Sequence, residues 1–115
     1  VGPDGALYFG TMDEGEERPV GRFWRWDGAS FTVFGEPTTV TNGPAFSPDG
    51  RVLYAVDSTR GTILAHPCTG GSIGEGATFV RFGDGAGTPD GLAVDEEGHV
   101  WVAQHGAARV TRFSP

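Results

Sequence analysis

The sequence predicts an all-β fold: a β-propeller segment of about 2.4 four-stranded blades, without helices. Three observations predict it. Turn formers are abundant, with 20 Gly and 8 Pro among 115 residues, a composition that breaks helices and excludes a helical bundle or coiled coil. No window of about eleven residues or more keeps a helical apolar period free of Gly or Pro. An aromatic-centred apolar run preceded by a turn also recurs, placing Tyr8, Tyr54 and Trp101 at intervals of 46 and 47 residues.

The elements follow in order. Pro3-Asp4-Gly5 turns the chain into Ala6–Phe9, and Gly21–Trp26 and Ser30–Phe34 supply two further apolar runs. Asn42–Ser47 then leads through Pro48-Asp49-Gly50 into the Val52–Val56 run, followed by Gly61–His66 and Thr78–Phe82. Asp90–Asp95, the Glu96-Glu97-Gly98 turn, His99–Val102 and Ala108–Phe113 repeat the pattern, with Asn42 and Asp90 at an interval of 48. Asp-Gly or Glu-Gly turns between short apolar runs describe antiparallel meanders. Residues 1–38 are therefore expected to hold the outer three strands of one blade, 39–86 a complete blade, and 87–115 the first three strands of the next. The competing architecture is an independent sandwich or barrel, in which the repeat would be accidental. Propellers close with ~4–8 blades, so the chain is expected to be a segment of a longer protein or to self-associate through its open blade edges. Its start at Val1 without Met also leads to an expectation of processing or truncation.

Charge narrows the partners. Eight basic residues, all Arg, stand against 15 acidic ones, a net charge of −7, which disfavours nucleic acid and anionic membranes. A cation or a small neutral ligand is compatible with such a surface. The single Cys68 cannot form an internal disulfide, and no apolar stretch of ~18 residues marks a membrane span. The cellular compartment is left open.

In a propeller the first strand of each blade lines the central channel, so Asn42 and Asp90 should meet near the axis at one height. An amide oxygen and a carboxylate there suit a hard divalent cation. The alternative for both is turn chemistry, since Asn-Gly and Asp-Gly are common tight-turn dipeptides. Gly70-Gly71-Ser72-Ile73-Gly74 matches the letters of a nucleophile elbow but lacks the helix that motif needs, and is expected to be a loop. His66, His99 and His105 lack metal-ligand spacing and are assigned structural roles; Cys68 is expected in a loop or rim. Asp57 and Glu14 fall at strand ends near a rim, and Asp13-Glu14-Gly15-Glu16-Glu17 reads as a solvated charged loop from which Glu14 could reach a polar substrate.

Together these residues resemble the senescence marker protein, gluconolactonase and luciferin-regenerating enzyme family of six-bladed propellers, which includes regucalcin. The matching stretches are Gly10-Thr11-Met12, Thr41-Asn42-Gly43, Leu53–Ser58, Pro89-Asp90-Gly91-Leu92 and Val100–Ala103, in the family's order along the whole chain. The resemblance implies divalent-metal-dependent hydrolysis of a small-molecule sugar lactone, with Ca²⁺ or Zn²⁺, or else Mg²⁺ or Mn²⁺, on the channel axis. It implies Asn42 and Asp90 as metal ligands, Asp90 also as the catalytic base that directs water at the lactone carbonyl, and Glu14 as a substrate contact. The family's first metal ligand, a Glu, and its Arg and Asn substrate contacts would precede Val1, so this chain alone is expected to be inactive. Two other readings stay open: a non-catalytic metal-binding or protein-interaction scaffold, and an organophosphate or ester hydrolase on the same ring.

Overall fold

All 115 residues, Val1–Pro115, are described by a computed structural model that contains strands and turns and no helix. The first sheet holds β1 (Leu7–Gly10), β2 (Gly21–Trp26) and β3 (Phe31–Thr38), in that spatial order. The second holds β4 (Thr41–Phe46), β5 (Val52–Asp57), β6 (Thr62–Thr69), the two-residue β7 (Ser72–Ile73) and β8 (Ala77–Arg81). It runs β4-β5-β6, and both β7 and β8 pair with β6. The third holds β9 (Thr88–Val94), β10 (Val100–His105) and β11 (Arg109–Phe113) in sequence order. Every pairing is antiparallel.

The turn residues explain the meanders. Asp4 and Asp49 each accept the amide two residues on, from Ala6 at 3.2 Å and Arg51 at 3.1 Å, the Asx geometry that reverses a chain locally. In the third unit Asp95 serves instead, accepting the Glu97 amide at 3.1 Å and the His99 amide at 2.9 Å.

Three sheets lie side by side, which is the arrangement of successive blades and not of a two-sheet sandwich. The middle one is covered on both faces, and β5 shows it: Leu53, Tyr54, Ala55 and Val56 are all buried in succession. Leu53 and Ala55 join Tyr8, Phe23 and Phe34 of the first sheet in one core. Tyr54 and Val56 join Ile63, Val100 and Val102 in the other, against the third sheet. A strand buried on both sides needs a continuous apolar run, whereas a half-exposed strand alternates. The outer faces of the flanking sheets expose Phe31 and Val33 on one side and Trp101 and Val110 on the other.

Two local features differ from the sequence expectation. The Gly70–Gly76 stretch is not a plain loop: Gly70 and Gly71 take φ of 57° and 81°, closing a two-residue turn that lets Cys68 pair with Ile73 and Thr69 with Ser72. Two successive positive φ values match the strand twist in so tight a hairpin, and glycine adopts them at least cost. No helix follows Ser72, as expected for a stretch that is not a nucleophile elbow. Cys68 belongs to β6 and is half-buried; burial pushes its thiol up from the ordinary value, the behaviour of an unreactive cysteine.

Candidate functional site

The two innermost strands, β4 and β9, begin beside one another, and a cleft of about 550 Å³ opens there. Asn42 and Asp90 both line it, with Thr41, Ser58, Glu16 and His105 among their neighbours. Register accounts for the match between the two candidate ligands. Asn42 pairs with Val56, and Thr41 with Asp57; Pro89 pairs with Gln104, which occupies the place in β10 that Asp57 occupies in β5. Asn42 and Asp90 thus stand at equivalent positions of successive inner strands.

Each lies at an irregularity in its ladder. Pairing shifts between Asn42 and Ala45 opposite Val56 and Tyr54, and again between Val102 and Gln104 opposite Leu92 and Pro89. A bulge bends its strand and re-aims the adjoining side chain. Both irregularities contain the glycine of the dipeptides Asn42-Gly43 and Asp90-Gly91, so the turn-forming residues here shape a strand end and leave the side chains on the cleft.

The hydrogen bonds fix the local order. Asn42 Nδ2 donates to Ser58 Oγ at 3.0 Å, and Ser58 Oγ donates to the Pro89 carbonyl at 2.7 Å. Thr41 Oγ1 donates to the Thr11 carbonyl at 3.0 Å, which ties the first sheet to the rim. With Nδ2 committed to Ser58, Asn42 Oδ1 is the amide atom left for a ligand. That oxygen and the Asp90 carboxylate are both oxygen donors on the same cleft, the atom type that suits a hard divalent cation.

The 13–17 loop sits at the cleft mouth. Asp13 is buried and organises it: its carboxylate accepts the Arg18 Nη2 at 2.8 Å and the amides of Glu17 at 3.1 Å and Arg18 at 3.2 Å. The Arg18 bond, followed by the Glu17 amide, holds the Asp13 carboxyl below its ordinary value. Glu16, at φ 54°, is the residue of this loop that lines the cleft, while Glu14 is exposed and lies outside the lining. Sequence reasoning had no signal for this, because the loop path depends on a buried carboxylate and not on spacing.

Other sequence candidates resolve into structural parts. Asp57 is buried and accepts the Arg60 amide at 3.0 Å, so it closes a turn. His66 is 1% exposed, with Nδ1 on the Gly74 carbonyl at 3.0 Å and its ring edge-on to Phe34. His105, by contrast, lines the cleft. Asp95, Glu97 and His99 converge at the far turn of β9 and β10, where the Arg112 guanidinium lies 2.9 Å from Asp95 Oδ2 and also bonds Glu97. Burial works against ionisation of Asp95, but the Trp101 indole, the His99 amide and Arg112 outweigh it and hold the carboxyl well below its ordinary range. The group is an ion-paired turn.

Comparison with known proteins follows the same outline. The family described as SMP-30/Gluconolactonase/LRE-like region matches residues 1–115. The L-arabinolactonase of Azospirillum brasilense is 39% identical over 117 residues, covering 96% of this chain and 39% of its own. Among solved structures, a luciferin-regenerating enzyme superposes with a TM-score of 0.88 at 27% identity, over 99% of this chain and 40% of that one. The calcium-binding protein regucalcin from Agrobacterium tumefaciens superposes with a TM-score of 0.84 at 26% identity, over 97% and 42%. The chain spans about 40% of the length of the relatives it matches.

Proposed function

The chain belongs to the SMP-30/gluconolactonase/LRE-like family, and from that premise we propose that it carries part of the active site of a divalent-metal-dependent sugar-lactone hydrolase. The supporting observation is the convergence of Asn42 and Asp90 on one cleft from equivalent positions of β4 and β9. In this reading the three sheets are the outer strands of one blade (1–38), a whole blade (39–86) and the first strands of a third (87–115), within a six-bladed ring.

Asn42 Oδ1 and the Asp90 carboxylate would hold the cation, Ca²⁺ or Zn²⁺ by the resemblance, with the remaining ligands supplied from outside this segment. A bound divalent cation supplies Lewis acidity toward a carbonyl. Asp90 accepts a proton from the attacking water as the water oxygen bonds the lactone carbonyl carbon. The ring ester C–O bond then breaks and its oxygen takes that proton from Asp90, which returns to the carboxylate, leaving the open hydroxy acid. The 13–17 loop binds the sugar hydroxyls, through Glu14 by the resemblance or through Glu16 by its place on the cleft.

A chimera tests this, with the chain replacing the matching segment of the Azospirillum brasilense L-arabinolactonase. Calorimetric titration with Ca²⁺ and Zn²⁺ and an aldonolactone hydrolysis assay should both respond to Asp90→Asn and Asn42→Ala. Unchanged hydrolysis in Asp90→Asn removes Asp90 from its role. The calcium-binding description of one structural relative favours a second reading, a metal-binding scaffold without catalysis. Metal binding that both substitutions weaken, in a chimera that hydrolyses no lactone, would support it.

A further inference from the structure

Ser58 is 7% exposed and stands between the two inner strands. Its hydroxyl has a single proton, and that proton is engaged by the Pro89 carbonyl at 2.7 Å. Toward Asn42, 3.0 Å away, Ser58 Oγ can therefore act only as an acceptor, and the group facing it must be the amide NH₂. If the amide turned over, its oxygen would meet a hydroxyl oxygen with no proton to offer, a buried pair of acceptors without a donor. The Ser58 backbone is itself held, its amide donating to the Val40 carbonyl at 3.1 Å.

We propose that Ser58 is a positioning residue: it fixes the Asn42 side chain with its oxygen toward the cleft and, through Pro89, fixes the backbone that presents Asp90. One hydroxyl thereby couples the two candidate ligands across adjacent sheets, over 31 residues of sequence. The functional consequence rests on the metal-site reading given above, whereas the orientation of the amide stands on the hydrogen bonds alone. Groups that orient a metal ligand in this way are worth roughly 10–100-fold in metal affinity when removed.

The experiment joins two readouts on the lactonase chimera described above, which supplies the ligands from outside this segment: ¹⁵N NMR of the Asn42 side-chain amide and calorimetric titration with calcium. Slow rotation about the amide C–N bond gives any asparagine two Nδ2 proton signals; in the unsubstituted chimera the one facing Ser58 should exchange slowly with solvent. Ser58→Ala should speed the exchange of that proton and shift its signal, and weaken calcium binding roughly 10–100-fold, while Ser58→Thr, which keeps the hydroxyl, should restore both. Thermal melts of each variant separate this outcome from general unfolding. Amide signals unaltered in Ser58→Ala overturn the proposal. Altered signals with unaltered calcium affinity also overturn it, because the amide then does not serve the ligand. A pinned amide in an unsubstituted chimera that takes up no calcium refutes the metal-site reading, and the ligand-positioning role with it, while leaving the hydrogen-bonded orientation measured.

Discussion

Gly10 lies directly against Thr41: a Cβ at Gly10 would come within 2.6 Å of the Thr41 Cβ. That contact seats β1 on the inner strand of the second sheet, beside the cleft that Thr41 lines, and lets Thr41 Oγ1 reach the Thr11 carbonyl. Gly10→Ala is therefore expected to destabilise the chain by about 1–3 kcal/mol through overpacking. The check is a lower denaturant midpoint at an unchanged m value.

The double-sided core predicts a sharp contrast between two leucines. Leu53 is 0% exposed between the first and second sheets, whereas Leu7 is 42% exposed. Leu53→Ala should cost about 2–5 kcal/mol and Leu7→Ala about 0.5 kcal/mol or less. Equal losses in urea melts would show that the apolar face carrying Leu7 is covered in solution.

The two loop carboxylates make opposing predictions in the lactonase chimera. If the cleft geometry governs, Glu16→Gln raises KM about tenfold, the loss of roughly 1.5 kcal/mol from one charged hydrogen bond, and Glu14→Gln leaves it unchanged. The reverse pattern would assign the substrate contact to Glu14, as the family resemblance implies.

Acid should loosen two turns. The Ser30 amide, followed by that of Ala29, pushes the Asp27 carboxyl down to about 2. Asp13 is held below its ordinary value chiefly by Arg18. Both carboxyls are depressed in the folded state, so what they contribute is fully present above about pH 4 and is lost as pH falls through the folded values. In NMR titrations the Ala29 and Ser30 amide shifts should move with a midpoint near 2, and those of Glu17 and Arg18 only below pH 4. Arg18→Ala should move the Glu17 transition upward; an unmoved transition would detach Arg18 from the loop.

Much of this protein is legible without coordinates because its signals are local. A strand needs only a short apolar run, and Gly21–Trp26 or Val52–Val56 announce themselves between turn residues that reverse the chain by bonding their own neighbours. The blade interval is local information repeated, which is why the positions of Asn42 and Asp90 could be matched from a spacing of 48 residues. Even the uninterrupted apolar run of β5 carries its meaning on its face, since a strand covered on both sides has no polar side to show.

What coordinates alone decided depends on contacts between distant segments. Nothing around Ser58 in sequence distinguishes it from other serines in turns; its role arises because β4 and β9 bring Asn42 and Pro89 within reach of one hydroxyl. Glu16 reaches the cleft in place of Glu14 because Asp13 is buried and draws Glu17 and Arg18 around it. Hydrophobic period and turn chemistry act over a few residues and so write the strands into the sequence. The aim of a polar side chain is set by whichever donors and acceptors packing leaves beside it, and that neighbourhood exists only once the sheets have assembled.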